Sequence, residues 1–325
     1  NRACRVDKIM RVISLGSGSS GNALLVEAGP QGRTKLLVDA GLSGRILVDR
    51  LRSVGVTPAQ LQAILVTHEH SDHVLGLPPM LKRYAIPLIT APGTFEAIAR
   101  GLAEGAWRAD SGSLVTMDAS SSYELETTSM WLYSYQQNQV EQAGEIPGFL
   151  PLPVGSRRII GDIEVFSFPV SHDAVSPCGY LLHAGGCRVC VATDTGEVTP
   201  LMLEMMSHAD LLVLESNHDR QMLLRGPYPY SLKQRILSAT GHLSNDQAAS
   251  AVLRTWRSDS VRWLWLSHLS RTNNSPKVAL NSMRAHIKAA GANLDQVHIS
   301  VLPPQMGSVW DSTQLWHAPT LWEIR

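Results

Sequence analysis

The chain lacks most features that would assign it to a membrane or to a disulfide-built secreted protein. No apolar run in its 325 residues approaches the length of a membrane span. Residues 1–9 lack the apolar core of a signal peptide and are interpreted as an N-terminal extension. The 4 cysteines do not have the spacing of a disulfide framework. A reducing, cytoplasmic setting is therefore expected.

Two of the cysteines lie close together in the sequence. Cys187 and Cys190 have the C-x-x-C spacing that is typical of zinc or redox sites, but no second pair completes a structural zinc site. They lie in a strand-like run, so their thiols should point to different sides. A structural role is favoured.

Net charge is also lacking. Lysine and arginine total 28, aspartate and glutamate total 28, and the formal net charge is zero. No broad field therefore attracts the protein to membranes or to nucleic acid, and any nucleic-acid contact must come from a local basic patch. By contrast, 44% of the residues are hydrophobic, which supports a sizeable core.

The most informative segment holds His68, His70, Asp72 and His73. It directly follows the apolar run 63–66, which is typical of a buried strand. A tight loop after a strand can direct His68 and His70 toward one metal ion, and Asp72 and His73 toward a second. Imidazole and carboxylate ligands suit zinc, and also manganese or iron. The alternative is a histidine-rich polar turn, but the whole chain has only 12 histidines.

The apolar pattern predicts alternating strands and helices. Strands are predicted at 11–15, 23–27, 35–39, 63–66, 87–90, 163–166, 189–192, 211–214, 263–266 and 297–302. Helices are predicted at 43–51, 73–84 with a break near Pro78 and Pro79, 94–102, 245–256 and 276–290. Residues 106–155 show little periodicity and are interpreted as an insertion or excursion within a single domain over 10–325.

This order of elements occurs twice. Asp39 and Asp194 each end or follow an apolar strand, and His68 and His268 each follow another. We therefore expect two sheet-containing halves that face each other, with helices outside and a shared site along one edge. His172 also follows a strand, so the chain has enough imidazoles for two ions and a carboxylate able to bridge them. Two ions about 3.5–4 Å apart can hold a hydroxide and stabilise an in-line displacement.

Several segments together resemble one family. They are residues 16–22, 66–73, 171–174, 192–196, 214–219, 241–245 and 267–270. The chain is identified as a member of the metallo-β-lactamase superfamily, whose H-x-H-x-D-H signature is complete at residues 68–73, and it is more closely similar to the YycJ (WalJ)-type branch. The resemblance implies an α/β fold, an αββα sandwich of two facing mixed β-sheets with outer helices. It also implies 5′ to 3′ exonuclease action on DNA.

The resemblance also implies a set of ligands for two divalent ions, zinc or manganese. The first ion would be bound by His68, His70 and His172, the second by Asp72, His73 and His268, and Asp194 would bridge them. Asp39 would steady the ligand loop.

A second resemblance, to RNase Z-type enzymes, concerns proton transfer. There a glutamate and a histidine act together on the leaving oxygen, and Glu215 and His242 match their positions. A carboxylate beside a histidine raises the pKa of its imidazole, which suits a general acid near neutral pH. Asp72, Glu215 and His242 are thus the predicted catalytic residues. His242 could instead be the ligand of the second metal with His268 in support, but His268 is favoured because it directly follows a buried strand.

Candidate substrate contacts are spread over four segments. They are Ser19, Asn22, Asn217, Tyr228, Lys233, Arg235 and Asn273. The loop 16–22 could offer backbone N–H groups and hydroxyls to a phosphate, or simply form a tight hairpin. The tyrosines and basic residues at 228–235 could follow a nucleic-acid backbone or form a solvated helix face. Asn273 and its neighbour Asn274 could contact substrate or close a turn.

Three functions compete. The first is a metal-dependent nuclease, with DNA favoured over RNA as substrate. The second is a small-molecule hydrolase on the same fold, such as a phosphodiesterase, lactonase or thioesterase. The third is a non-catalytic binding protein, which the complete ligand set disfavours. Glu215, His242 and the basic cluster favour phosphodiester cleavage, whereas zero net charge weakens the case for long nucleic acids. The sequence leaves the oligomeric state open.

Overall fold

Two β-sheets form the centre of the fold in the computed structural model, which describes residues 10–103, 148–258 and 260–316. The first sheet contains β1 (Met10–Gly16), β2 (Ala23–Ala28), β3 (Thr34–Val38), β4 (Ala63–Leu65), β5 (Leu88–Thr90), β6 (Phe149–Pro151) and β14 (Val309–Asp311). The second contains β7 (Arg157–Ile160), β8 (Ile163–Pro169), β9 (Cys178–Ala184), β10 (Cys187–Ala192), β11 (Leu211–Glu215), β12 (Arg262–Ser267) and β13 (Val297–Val301).

The two sheets share one pattern of strand pairing. In the first, the order is β14-β1-β2-β3-β4-β5-β6, antiparallel as far as β3 and parallel from β3 to β6. In the second, β7 to β10 pair antiparallel and β10 to β13 pair parallel. The predicted repetition of hairpins followed by crossovers is confirmed. Parallel strands end at the same edge of a sheet, which is where their following loops can form a site.

Helices cover the outer faces of both sheets. They are α1 (Gly44–Ser53), α2 (Ser71–Val74), α3 (Leu77–Tyr84), α4 (Pro92–Ala103), α5 (Pro200–Ser207), α6 (Arg220–Arg225), α7 (Tyr230–Ile236), α8 (Asn245–Arg254) and α9 (Pro276–Ala289). Short 3₁₀ turns complete the connections. Within the described ranges, no helix is both long enough and apolar enough to cross a membrane.

Three apolar layers hold these elements together. Val26 and Val38 of the first sheet pack against Tyr180 and Trp265 of the second. Leu47, Met80 and Phe95 pack between the first sheet and its helices, and Met202, Val252 and Met283 do the same for the second sheet. Burying these layers on both faces of each sheet gives the αββα sandwich, so the predicted fold class is confirmed.

Helix boundaries follow local chemistry. Ser244 caps α8 through a capping box with Gln247, and Ser275 caps α9 by accepting a hydrogen bond from the N–H of Val278. The predicted helix 73–84 is interrupted at Leu75 and Gly76 instead of at its prolines. Pro78 and Pro79 lie in the first turn of α3, where the missing N–H has no partner to lose.

Some strands escaped prediction. Strands β7, β9 and β14 were not expected, and β6 lies inside the predicted excursion 106–155. The first sheet therefore resumes before residue 155, by parallel pairing of β6 with β5. Residues 104–147 of that excursion, and the predicted extension 1–9, lie outside the described residues.

The three described cysteines are free and buried. Cys187 packs between the sheets, whereas Cys190 packs under the outer helices, so the expectation that the two thiols point apart is confirmed. Burial raises the pKa of Cys190, and also that of Cys178, to about 12. Both thiols are therefore protonated and unreactive near neutral pH.

A polar contact joins the two sheets at the β2–β3 and β7–β8 connections. The Arg33 guanidinium donates to both carboxylate oxygens of Asp162 at 2.7 and 2.8 Å. The Thr34 hydroxyl donates to Asp162 Oδ2 at 2.7 Å and accepts from the Asp162 N–H at 2.9 Å. The hydrogen bonds from Arg33 and then Thr34 lower the pKa of Asp162 to about 2.

This contact predicts an acid-dependent part of the stability. Because the pKa of Asp162 is lower in the folded protein than its usual value of 3.8, its carboxylate stabilises the fold above about pH 4. That contribution is lost as the pH falls toward 2. Urea midpoints of the wild type and Asp162→Asn should therefore differ at pH 5 and converge toward pH 2. A difference that stays constant across this range would show that the carboxylate charge has no part in it.

Candidate metal centre and active site

Histidines and carboxylates from five strand ends converge at one edge of the sandwich. They end β11 or follow β3, β4, β10 and β12, with further residues from the loops at 171–173 and 241–243. Within the described ranges, their ligand atoms form four overlapping groups, in each of which all atoms lie within 4.8 Å of one another. The groups are His68, His70 and His172; His68, His73 and Asp194; Asp72, His73 and His268; and Asp194, Glu215, His242 and His268.

Three imidazoles form the first group. His172 Nε2 lies 3.2 Å from His70 Nδ1, while its Nδ1 lies 3.1 Å from the carbonyl oxygen of Gly241. That carbonyl accepts a hydrogen bond from the Nδ1–H, and in this neutral tautomer the lone pair of Nε2 is directed at the group. His68 Nε2 is buried without a hydrogen-bond partner. Buried imidazole nitrogens that converge without partners fit a divalent cation.

Carboxylates join the neighbouring group. Asp72 Oδ2 lies 3.1 Å from His268 Nε2 and 3.7 Å from His73 Nε2. Asp194 lies between the two groups: its Oδ2 is 3.1 Å from His73 Nε2, and its Oδ1 is 4.0 Å from His172 Nε2. Asp194 Oδ2 is buried and lacks hydrogen-bond geometry to any donor in the described residues. This is the position that a bridging carboxylate needs.

Backbone strain marks three residues of this edge. Asp39, Asp194 and His268 have φ values of 60°, 54° and 53°, in the left-handed region that side chains other than glycine rarely adopt. Such conformations cost of order 1–3 kcal/mol each and persist only where the surrounding structure imposes them. Each residue follows a parallel strand, and the reversal of φ turns its side chain into the site.

Asp39 orients the ligand loop. Its Oδ2 lies 2.8 Å from His73 Nδ1, and its Oδ1 accepts the N–H of Thr67 at 2.9 Å. His73 Nδ1 is thereby held as a donor and Nε2 faces the cluster. Gly41 allows the loop to lie this close, because a Cβ there would stand 1.6 Å from the carbonyl oxygen of Asp72.

Charge is unbalanced at this edge. Burial lowers the pKa of His68 well below its usual value. Burial also opposes protonation of His73, but Asp39, Asp194 and Asp72 outweigh it and raise the pKa of that histidine well above its usual value. The pKa of His268 is raised well above its usual value in the same way, mainly by Asp194. The protein thus favours additional positive charge here, which divalent ions would supply.

Glu215 and His242 form a pair beside this cluster. Glu215 is fully buried, and its Oε1 lies 2.7 Å from His242 Nδ1. Its Oε2 accepts the N–H groups of Thr195 at 3.0 Å and Leu243 at 3.3 Å, which fixes the carboxylate. The His242 side chain is 22% exposed, and no hydrogen bond ties its Nε2 among the described residues.

The pKa values of this pair move apart. Burial opposes ionisation of Glu215, yet the neighbouring His242 lowers the pKa of the carboxyl to about 2. Burial lowers the pKa of His242 because it also opposes the charged form of that residue. Glu215 outweighs this effect and raises the pKa of His242 above its usual value. An imidazole held protonated by an ionised carboxylate is the arrangement of a general acid.

His242 and His268 occupy different places. His268 Nε2 contacts Asp72, and its Nδ1 lies 3.1 Å from the same Glu215 Oε1 that His242 contacts. The structure therefore brings His268, and not His242, together with Asp72 and His73.

Three predicted substrate contacts are buried asparagines bonded within the protein. Asn22 Nδ2 lies 3.1 Å from His73 Nε2 and 3.4 Å from Asp72 Oδ2. Asn217 Nδ2 donates to the carbonyl oxygen of His268 at 3.0 Å. Asn273 accepts the Asp219 N–H through its own backbone carbonyl. Asn22 and Asn217 thus contact candidate ligands directly.

The remaining candidates lie nearer the surface. Lys233 Nζ donates to the carbonyl oxygens of Leu224 at 2.9 Å and Gly226 at 2.7 Å, which ties α7 to the end of α6. Arg235 pairs with Asp173, whose other oxygen lies 3.4 Å from His172 Nε2. Ser19 is exposed and Tyr228 half-buried. Of these four, Arg235 is thus linked to the cluster through a shared carboxylate.

Two residues that contact the candidate site were not predicted from the sequence. Thr67 contacts Asp39, His68 and His73 through its hydroxyl, and Ser17 accepts the His268 N–H at 2.9 Å. Their only sequence signal is that they lie beside predicted ligands or in the loop 16–22.

Comparisons with known proteins agree with this geometry. The family model described as "Beta-lactamase superfamily domain" matches residues 34–262. The fold and the converging ligands are those of that superfamily, and the chain belongs to it. It is 35% identical to "Exodeoxyribonuclease WalJ" of Streptococcus pneumoniae over 269 residues, covering 83% of this chain and 85% of the relative.

A second relative and a solved structure are also similar to this chain. The chain is 34% identical to "Exodeoxyribonuclease YycJ" of Bacillus anthracis over 277 residues, which are 85% of this chain and 89% of the relative. Among solved structures, the metallo-beta-lactamase fold protein YhfI from Bacillus subtilis superposes with a TM-score of 0.57 at 16% identity, covering 94% of this chain and 100% of YhfI. This last similarity concerns the fold alone.

Asp39 gives a test of the site that does not depend on activity. Asp39→Asn keeps the size of the side chain but weakens its hold on His73, so affinity for Zn²⁺ or Mn²⁺ should fall about 10–100-fold. Competition with a chromogenic chelator measures this. Asp246→Asn, a change of the same kind at an exposed position of α8, should leave affinity unchanged. Equal affinities of Asp39→Asn and the wild type would contradict the orienting role.

Proposed function

We propose that this metal-dependent hydrolase is an exodeoxyribonuclease that degrades DNA from 5′ to 3′. The observation that carries the proposal is the Glu215–His242 pair beside a complete set of metal ligands. Two relatives that are similar over most of their length are both named exodeoxyribonucleases. A small-molecule hydrolase would need the same metal ligands, so the substrate is decided by the surroundings of the cluster.

Two divalent ions, zinc or manganese, would occupy the centre. His68, His70 and His172 are the proposed ligands of the first, Asp72, His73 and His268 of the second, and Asp194 the bridge. When bound, the ions would polarise the phosphate and supply an activated water.

The chain's own residues would carry the proton transfer. Glu215, fixed by two backbone N–H groups, keeps His242 protonated and oriented. His242 then donates the proton from Nε2 to the leaving oxygen as the P–O bond breaks, and regains one from solvent through its exposed face. Asp72 and Asp39 keep the ligand loop in place for that step.

Substrate contacts would be few. Arg235 is held beside His172 by Asp173, which positions its guanidinium at the rim of the centre. Ser19 is the exposed hydroxyl of the loop next to His268, whose N–H is bound by Ser17. With zero net charge, the protein would bind DNA through a small number of phosphates.

The role of His242 can be separated from metal binding. His242→Ala should keep the metal content and slow DNA cleavage by about 10²–10⁴-fold, the usual contribution of a general acid. Bis(p-nitrophenyl) phosphate, whose leaving group needs no proton, should lose much less. Metal analysis accompanies both assays. Loss of metal in this variant would make His242 a ligand and exchange its role with that of His268.

The substrate class can be tested with end-labelled DNA. Wild-type protein loaded with Mn²⁺ or Zn²⁺ should shorten 5′-phosphorylated DNA from its 5′ end, whereas matched RNA should be a poorer substrate. Asp194→Ala, which lacks the proposed bridge, serves as the inactive control and should retain less metal than the wild type. Hydrolysis of bis(p-nitrophenyl) phosphate without any cleavage of DNA would favour the small-molecule hydrolase instead.

A further inference from the structure

A buried polar cluster connects three of the loops that carry site residues of the second sheet. Ser216 and Asn217 follow β11, Asn245 begins α8, and Asn274 precedes α9. All four are buried, with exposed fractions of 1%, 7%, 2% and 6%. They connect the segments that follow Glu215 and His242.

Asn274 is the centre of this cluster. Its Nδ2 lies 2.9 Å from the Ser216 carbonyl oxygen, 3.1 Å from that of Asn217 and 2.9 Å from Asn245 Oδ1. Its Oδ1 accepts from Asn245 Nδ2 at 3.2 Å and from the Ser275 N–H at 2.9 Å. The two amides therefore bond each other reciprocally, and both polar atoms of Asn274 are occupied. A direct contact of this side chain with substrate is excluded by that bonding.

The cluster fixes the distance between two loops. The Asn217 N–H donates to the Leu243 carbonyl oxygen, and the Asn245 N–H donates to the carbonyl oxygen of His218. Ser216 Oγ donates to Asn245 Oδ1 at 2.6 Å. The segment after Glu215 and the segment after His242 are thus joined by several hydrogen bonds directly beyond the Glu215–His242 pair. Any separation of these segments would lengthen the bond between the carboxylate and the imidazole.

We infer that Asn274 is a positioning residue for the Glu215–His242 pair. This rests on the proposed function only for the consequence in catalysis, since the positioning itself is a property of the folded chain. Asn274 acts through Ser216, Asn217 and Asn245, and it places the general acid without touching it. A displacement of about 1 Å in such a group can slow a reaction by about 10²-fold.

The test replaces the amide by a carboxylate of the same shape. Asn274→Asp removes the donor that faces three oxygens, so the loops should separate while packing volume is kept. In ¹⁵N-histidine NMR of the metal-free protein, the His242 Nδ1–H proton should exchange with water faster than in the wild type. Ser216→Ala, which removes one bond of the cluster, should give a smaller change in the same direction. It also serves as the test if Asn274→Asp does not fold.

Catalysis provides the second readout. In metal-loaded protein, Asn274→Asp should cleave DNA up to about 10²-fold more slowly, with a much smaller loss on bis(p-nitrophenyl) phosphate and unchanged metal content. Thr255→Val is the matched control, because it removes a buried hydroxyl at the far end of α8. It should leave the ratio of the two activities and the His242 exchange rate unchanged.

The outcomes separate the two proposals. Unchanged His242 exchange in both Asn274→Asp and Ser216→Ala would overturn the positioning role, whatever the substrate. Equal losses on both substrates, or the same pattern in Thr255→Val, would also overturn it, because only general destabilisation would remain. A wild type that cleaves no DNA but shows the NMR differences would contradict the proposed function and leave the positioning role supported.

Discussion

Burial of negative charge at one edge of two sheets is the constraint on which this structure depends. Asp39, Asp194 and Glu215 are each at most 3% exposed, and in the part of the chain that the structure describes their ion pairs are with histidines. Buried carboxylates of this kind must be hydrogen-bonded, paired or bound to cations. Backbone N–H groups and imidazoles meet part of that need, and the remainder is the physical reason for a metal centre. The fold and the site therefore depend on each other, because the buried carboxylates find their partners only where the strand ends converge.

The two sheets of the sandwich supply different parts of the candidate site. The first sheet supplies a compact ligand segment after β4, with Asp39 from β3 behind it. The second supplies single residues from strands far apart in sequence, among them Asp194, Glu215 and His268. Because β10, β11 and β12 are parallel neighbours, these residues meet without any further turn of the chain. Identical pairing patterns therefore produce different chemistry, since the residues at corresponding strand ends differ.

Much of this could be predicted from the sequence, for identifiable reasons. The apolar runs before Asp39, His68, Asp194 and His268 are short and clear, so both the strands and the polar residues after them were found. Strand β14 was missed because its 3 residues form no pattern, although it pairs with β1 across the sheet. Asn22 and Asn217 were predicted to contact substrate, which stays a prediction, and in the structure their amides also contact the candidate ligands His73 and His268. The role of Asn274 could not be predicted, because its partners lie 29, 57 and 58 residues away and become neighbours only through strand pairing.

The left-handed conformations at Asp39, Asp194 and His268 have a consequence for the evolution of related sequences. Glycine adopts this conformation without steric cost, and asparagine does so more easily than histidine, so backbone strain taken alone would favour those two residues here. Selection for metal binding must oppose a steady drift toward those two residues. In a duplicated gene released from that selection, replacement at these three positions would relieve the backbone strain. Asparagine or glycine there, in an otherwise intact chain, would be the mark of a protein that has kept its fold and abandoned its chemistry.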